Sequence, residues 1–193
     1  MVTRAEHRSA TLLALNDAAI DLFATDGPTV TVDEIAERAR VSRRTVFRYV
    51  ETKEELAFIH PILWFDVFDA ALGRAEPGAP LVERLRYASQ AIAAAVDADP
   101  EPPRRAFLVA ASHPELHRGF AAVFGRWIDR ISAEVVALDP ADHFRARIVG
   151  STVMGMVDAV TREWIVSPPT VTYGEVCDRG FAVVAPLFEP PAH

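Results

Sequence analysis

TVTVDEIAERARVSRRTVFRYVETK, residues Thr29 to Lys53, holds two short helical patterns separated by a tight break. Ile35, Ala36 and Ala39 form an apolar i, i+1, i+4 set on the first, and Val46 and Val50 share one face of the second. Thr31 followed by Glu34 has the spacing of a capping box, with Val30 and Ile35 placed as its hydrophobic staple. Ser42 is suited to cap the second helix, and Val41 with Val46 repeats the staple spacing. Two helices of about two turns each, joined by roughly three or four residues, describe a helix-turn-helix.

The second helix carries the functional signal. With Val46 and Val50 turned inward, Arg43, Arg44, Phe47 and Arg48 point away from the core. Arg43 and Phe47 make one i, i+4 stripe, and Arg44 and Arg48 make another. A surface aromatic flanked by three arginines suits a helix lying in a major groove, where Arg bonds guanine edges in bidentate fashion and Phe meets thymine methyls. Six basic residues stand between Arg38 and Lys53 against one acidic residue, Glu51, while the whole chain has net charge −7. Chance enrichment on a solvated face explains any single Arg; the whole constellation points to a reader of double-stranded DNA.

These residues resemble the TetR family of transcriptional regulators. The matching segments run from AAIDLFATDG (Ala18 to Gly27) through TVDEIAERARVS (Thr31 to Ser42) to RTVFRYVETKEEL (Arg44 to Leu56), roughly the first third of the chain. The resemblance implies DNA contacts from Thr31, Arg43, Arg44, Thr45 and Phe47, and phosphate contacts from Ser42, Tyr49 and Lys53. It departs from the family at Arg40, where Gly is common, which tests whether the turn needs positive φ. It departs again at Val50, which replaces a commoner Phe.

The chain has 193 residues, half of them apolar, enough for one large core or two small domains. No run approaches the ~18 apolar residues that a membrane helix needs, and Met1 to Asn16 carries charges and lacks a signal-peptide core. The expectation is a cytoplasmic protein with no membrane partner. A lone cysteine, Cys177, excludes an internal disulfide and reads as a buried thiol in a helical apolar pattern. A localised basic surface on an acidic body argues against non-specific coating of nucleic acid.

Along the chain the expected fold is all-α, with about nine helices. A helix-turn-helix DNA-binding domain over 1–53 precedes a helical effector-binding and dimerisation domain over 54–193. The first helix spans Thr3 to Asp26, stopped by Gly27 and Pro28. Thr52 and Glu55 open a fourth helix reaching Leu72, with a kink near Phe58 expected from Pro61. Gly73 to Pro80 reads as a linker, Leu81 to Val96 as a helix and Asp97 to Pro103 as a proline-rich loop. Helices are then expected over Arg104–Ala111, from His113-Pro114 to Leu138, over Ala141–Val166 after Asp139-Pro140, and over Tyr173–Leu187.

Phe58, Leu63, Trp64, Phe68, Phe107, Phe120, Phe124 and Trp127 lie at helical spacing, which by itself suits plain core. The resemblance implies that such aromatics line a cavity for a small apolar or amphipathic effector. Ala146, Gly150, Val153 and Val157 form a seam with small residues, and Val176, Gly180 and Val184 mark the next helix. Intramolecular core is one reading. The resemblance favours a homodimer through a two-fold four-helix bundle, placing two recognition helices about 34–36 Å apart on a pseudo-palindrome. His113 and His117 lie four apart, but Pro114 stands where a metalloprotease Glu belongs, so no metal is expected. No cofactor and no enzymatic chemistry are expected: G-x-S-x-G, a phosphate-binding Gly loop and a paired-carboxylate site are all missing. The leading expectation is a ligand-responsive repressor; the alternative is an activator or architectural DNA-binding protein without an effector.

Overall fold

The computed structural model describes residues 3–76, 78–138 and 142–188, whose regular structure is all helical, with no strand among them. The α-helices are α1 (Arg4–Asp26), α2 (Val32–Arg38), α3 (Arg43–Phe47), α4 (Ile59–Leu72), α5 (Leu81–Ala98), α6 (Glu101–Ser112), α7 (His117–Leu138), α8 (His143–Val166) and α9 (Tyr173–Val184). Asp139, Pro140 and Ala141, expected to end one helix and start the next, lie outside the described residues. Two compact units emerge: residues up to Leu63 with Glu101–Val123, and Trp64–Pro100 with residues from Phe124 onward.

In the first unit, α1 buries Leu12, Leu15, Ala19 and Phe23 on one stripe. Thr3 and Glu6 close a capping box at its start, and Gly27 ends it at φ 71°. Asn16 is buried yet satisfied, because its amide donates to the Leu56 carbonyl at 2.7 Å. Beyond α3 the chain does not form one kinked α-helix. Lys53–Phe58 is a 3-10 helix and α4 begins only at Ile59. Pro61 therefore falls in the first turn of α4, where its missing N–H is not needed. For the same reason α6 starts three residues earlier than expected, since Pro102 and Pro103 fit its first turn.

Gly119 marks the tightest contact in this unit. A Cβ built there would sit 2.3 Å from the carbonyl carbon of Glu54 and 2.7 Å from the amide nitrogen of Glu55. The first turn of α7 thus lies directly on the backbone that follows α3. Asp21 adds a second tie, accepting from Arg38 of α2 and Arg105 of α6 at 2.6 Å each. These hydrogen bonds, Arg38 foremost, hold its carboxyl below the ordinary range. A depressed folded-state pKa stabilises above the unfolded value of about 3.9 and is lost as pH falls through the lower folded value. Asp21→Asn should therefore cost about 1 kcal/mol at pH 7, as for partly exposed pairs. The difference from wild type should vanish near pH 2; urea unfolding at the two pH values measures it.

In the second unit, close helix approach depends on small residues. A Cβ on Gly150 would meet the Ile128 carbonyl at 2.7 Å and Ser132 Oγ at 2.6 Å, so α8 lies tightly on α7. Gly180 brings α9 onto Met156 and Val160 of α8 in the same way. Asp97 accepts from the Tyr173 and Gly174 amides at 2.6 and 3.0 Å, anchoring the start of α9 to α5. Trp164 meets Tyr173 edge-on at 5.3 Å beneath it. Cys177 is buried in α9, and burial pushes its thiol up to about 12, so it stays protonated and inert.

Candidate nucleic-acid interface

The start of α2 is a capping box: the Thr31 hydroxyl accepts from the Glu34 amide at 3.3 Å, and Glu34 Oε2 accepts from the Thr31 amide at 2.7 Å. These bonds also lower the Glu34 pKa. Val30 and Ile35, the staple pair, are both buried. At the other end of α2, the Arg40 amide bonds the Glu37 carbonyl and the Val41 amide bonds that of Ala36. This is the Schellman arrangement, with Arg40 at φ 55°. The turn does require positive φ, and this chain meets it with an arginine at a strain of roughly 1 kcal/mol.

The turn delivers Ser42 as N-cap of α3, its hydroxyl accepting from the Thr45 amide at 3.1 Å. The helix is one turn and a half rather than two, so Arg48 caps its end and Tyr49 lies just beyond. Val46 and Val50 are buried, while Arg43, Arg44, Phe47 and Arg48 are exposed. Phe47 leaves 45% of its surface in solvent, which no folding requirement explains. The arginines are arranged about the rings: Arg43 lies 5.5 Å from the Phe47 centroid, and Arg48 lies 4.7 Å from that of Tyr49. Arg48 also donates to the Tyr49 hydroxyl at 2.9 Å.

Not every residue expected to touch DNA is equally available. Thr31 and Ser42 are both occupied as caps, and Thr45 is half-buried against Ser42. Lys53 donates to the Pro28 and Val30 carbonyls at 2.6 and 2.8 Å, leaving one of its three donors for an anion. It ties the segment entering α2 to the segment leaving α3. Asp33 of α2, which spacing alone did not single out, accepts from Arg43 at 2.9 Å. The signal was present in the acidic first turn of α2, but nothing in the sequence pairs residues ten apart across a turn.

Residues 15–58 match the family model described as bacterial regulatory proteins, tetR family. This segment, which holds α2 and α3, is similar to the DNA-binding part of that family. The chain is 27% identical, over 92% of its length and 90% of the relative's, to a protein of Mycobacterium tuberculosis described as a mycofactocin biosynthesis transcriptional regulator, MftR. Its fold matches Thermus thermophilus FadR, a TetR-family repressor solved with lauroyl-CoA, at TM-score 0.60 and 22% identity, covering 93% of this chain and 97% of that one. It also matches the fatty acid degradation regulator FadR of Bacillus halodurans at TM-score 0.57 and 16% identity, covering 89% and 96%.

The aromatic residues of the chain divide by burial. In the first unit Phe58 is buried against Phe120 at 5.7 Å, and Leu63, Phe107 and Phe120 are half-buried. In the second, Phe68 and Trp127 are buried; Trp127 stacks on Phe65 at 4.0 Å and meets Phe68 edge-on at 5.2 Å. Trp64 and Phe124 are half-buried. Phe58, Phe68 and Trp127 are thus core. The residues of the expected dimer seam lie mostly inside the subunit. Ala146, Gly150, Val153, Val176 and Val184 are buried in the subunit itself, Val157 is half-buried, and Gly180 faces α8. Small residues there permit intramolecular approach. Among the described residues no helix is long and apolar enough to cross a membrane, and no cluster of three His, Cys, Asp or Glu is placed to hold a metal.

Proposed function

We propose that the protein is a TetR-family transcriptional regulator, a ligand-responsive repressor that binds a palindromic operator as a homodimer and is released by a small apolar or amphipathic effector. The observation that carries this reading is the outward face of α3: three exposed arginines around an exposed phenylalanine on an otherwise acidic protein. Within the proposed 1–53 reader domain, Arg43, Arg44, Thr45, Phe47, Arg48 and Tyr49 form the contact face. Thr31, Ser42 and Lys53 mainly shape it. Operator selection from random duplex DNA at near-physiological salt tests the reading, since phosphate contacts alone weaken steeply there. Enrichment of a two-fold palindrome supports it; no enrichment removes it.

A dimer is supported by a different face of α8 from the seam expected. Phe144, Ile148, Ser151, Gly155 and Ala159 recur at helical spacing on the exposed side, with Phe144 78% and Ile148 51% exposed. Val183 of α9 is 75% exposed. Such large apolar residues at regular spacing suit an isologous contact. Phe144→Asp combined with Ile148→Asp should leave the subunit folded, because both side chains are in solvent, and should halve the mass measured by light scattering. An unchanged dimer mass places the interface elsewhere.

For the effector, the proposed contacts are Leu63, Phe107 and Phe120 of the first unit, which are half-buried rather than sealed in core; Trp64 and Phe124 of the second unit are half-buried as well. The lauroyl-CoA held by Thermus FadR makes an acyl thioester the first compound to test. Release of the selected operator by lauroyl-CoA but not by free coenzyme A is the expected result. Retention across an acyl-chain series would favour an effector-independent regulator.

A further inference from the structure

We propose that Asp33 is a positioning residue for base recognition: it holds the Arg43 guanidinium toward a base edge and away from the phosphates. The proposal rests on the DNA-binding reading above. Asp33 Oδ2 accepts from Arg43 Nη1 at 2.9 Å, joining the second residue of α2 to the first of α3 across the turn. The same guanidinium lies over the Phe47 ring. A carboxylate on one edge and a ring on one face leave few orientations to a side chain that otherwise loses considerable rotamer freedom on binding.

The two acidic residues that open α2 have separate tasks. Glu34 is taken up by the Thr31 amide and hydroxyl, both at 2.7 Å. Asp33 is not needed for capping, so its charge serves Arg43. The pair is exposed, with 60% of the Arg43 side chain and 65% of that of Asp33 in solvent, so its contribution to folding is small. Its effect is directional. The guanidinium is a fork of five donors, and an acceptor on Nη1 leaves the opposite edge for the paired acceptors of guanine, O6 and N7. A carboxylate beside it disfavours a phosphate at the same place, since like charges would meet in a desolvated contact. Arg43 in turn neutralises Asp33, which allows an acidic residue on a face that approaches DNA.

The test compares wild type, Asp33→Ala and Asp33→Asn on the selected operator and on duplexes changed at single half-site positions, across a salt series. With Asp33→Ala, discrimination at one guanine position should fall about tenfold, the scale of one bidentate contact. Affinity for unrelated DNA should hold or rise. The slope of log K against log salt should steepen by about one, as a released Arg43 takes a phosphate. Asp33→Asn keeps an acceptor oxygen and should restore part of the discrimination, which a merely structural role would not predict. Combined with Arg43→Ala, Asp33→Ala should have no further effect on base preference. Uniform tightening by Asp33→Ala with unchanged preference overturns the proposal and leaves the DNA-binding reading standing. A wild-type protein that selects no sequence overturns both.

Discussion

Arg43→Ala, Arg44→Ala and Phe47→Ala combined should lower operator affinity by about three orders of magnitude, to the level of unrelated DNA. Each good bidentate contact is worth about 1–3 kcal/mol of discrimination, so two arginines and an aromatic account for a loss of that size. Thermal stability should stay within about 0.5 kcal/mol of wild type, because all three side chains are exposed and Val46 and Val50 keep the helix docked. Residual binding should be the same on every duplex and strongly salt-dependent. Fluorescence anisotropy on the selected operator and on a scrambled duplex, paired with a melting curve, measures both halves. Operator binding that survives with its sequence preference intact would place recognition on another surface.

Gly119→Ala should destabilise the protein by about 2 kcal/mol, while Gly125→Ala, six residues along the same helix, should stabilise it. Both glycines lie inside α7, where alanine is the better helix former by about 1 kcal/mol. At Gly125 no neighbouring atom lies within 4 Å of the added methyl, so the propensity gain is realised. At Gly119 the methyl would lie 2.3 Å from one backbone atom of Glu54 and 2.4 Å from another. Backbone cannot rotate aside as a side chain can, so α7 must move. Overpacking of this kind costs about 3 kcal/mol at the upper end of its usual range, which exceeds the propensity gain. Urea unfolding of the two variants gives the contrast directly. Equal shifts in one direction would mean that α7 does not lie on the Glu54–Glu55 backbone.

The helix-turn-helix was largely legible because its determinants are local. Capping boxes, staples and an i, i+4 pair of buried valines act within a few residues, and the outward face of α3 follows from the inward one. Proline positions were less legible. Pro61, Pro102 and Pro103 look like breakers in the sequence, but each sits in a first turn, where the missing N–H has no partner to lose. The aromatic residues could not be sorted into core and half-buried, since spacing places a side chain on a face without showing what packs there.

The sequence by itself determined the all-α fold, the helix-turn-helix and the chemistry that α3 offers to DNA, because each depends on contacts three or four residues apart. Tertiary structure alone decided which small residues bring helices together inside the subunit. Gly119, Gly125, Gly150 and Gly155 are equivalent as letters in helical segments, yet two meet backbone and two face open space. It alone also placed Asp33 against Arg43, because that pairing depends on the angle between two helices set by the positive φ at Arg40. Local sequence fixes which way a side chain points; only the packed fold fixes what it meets.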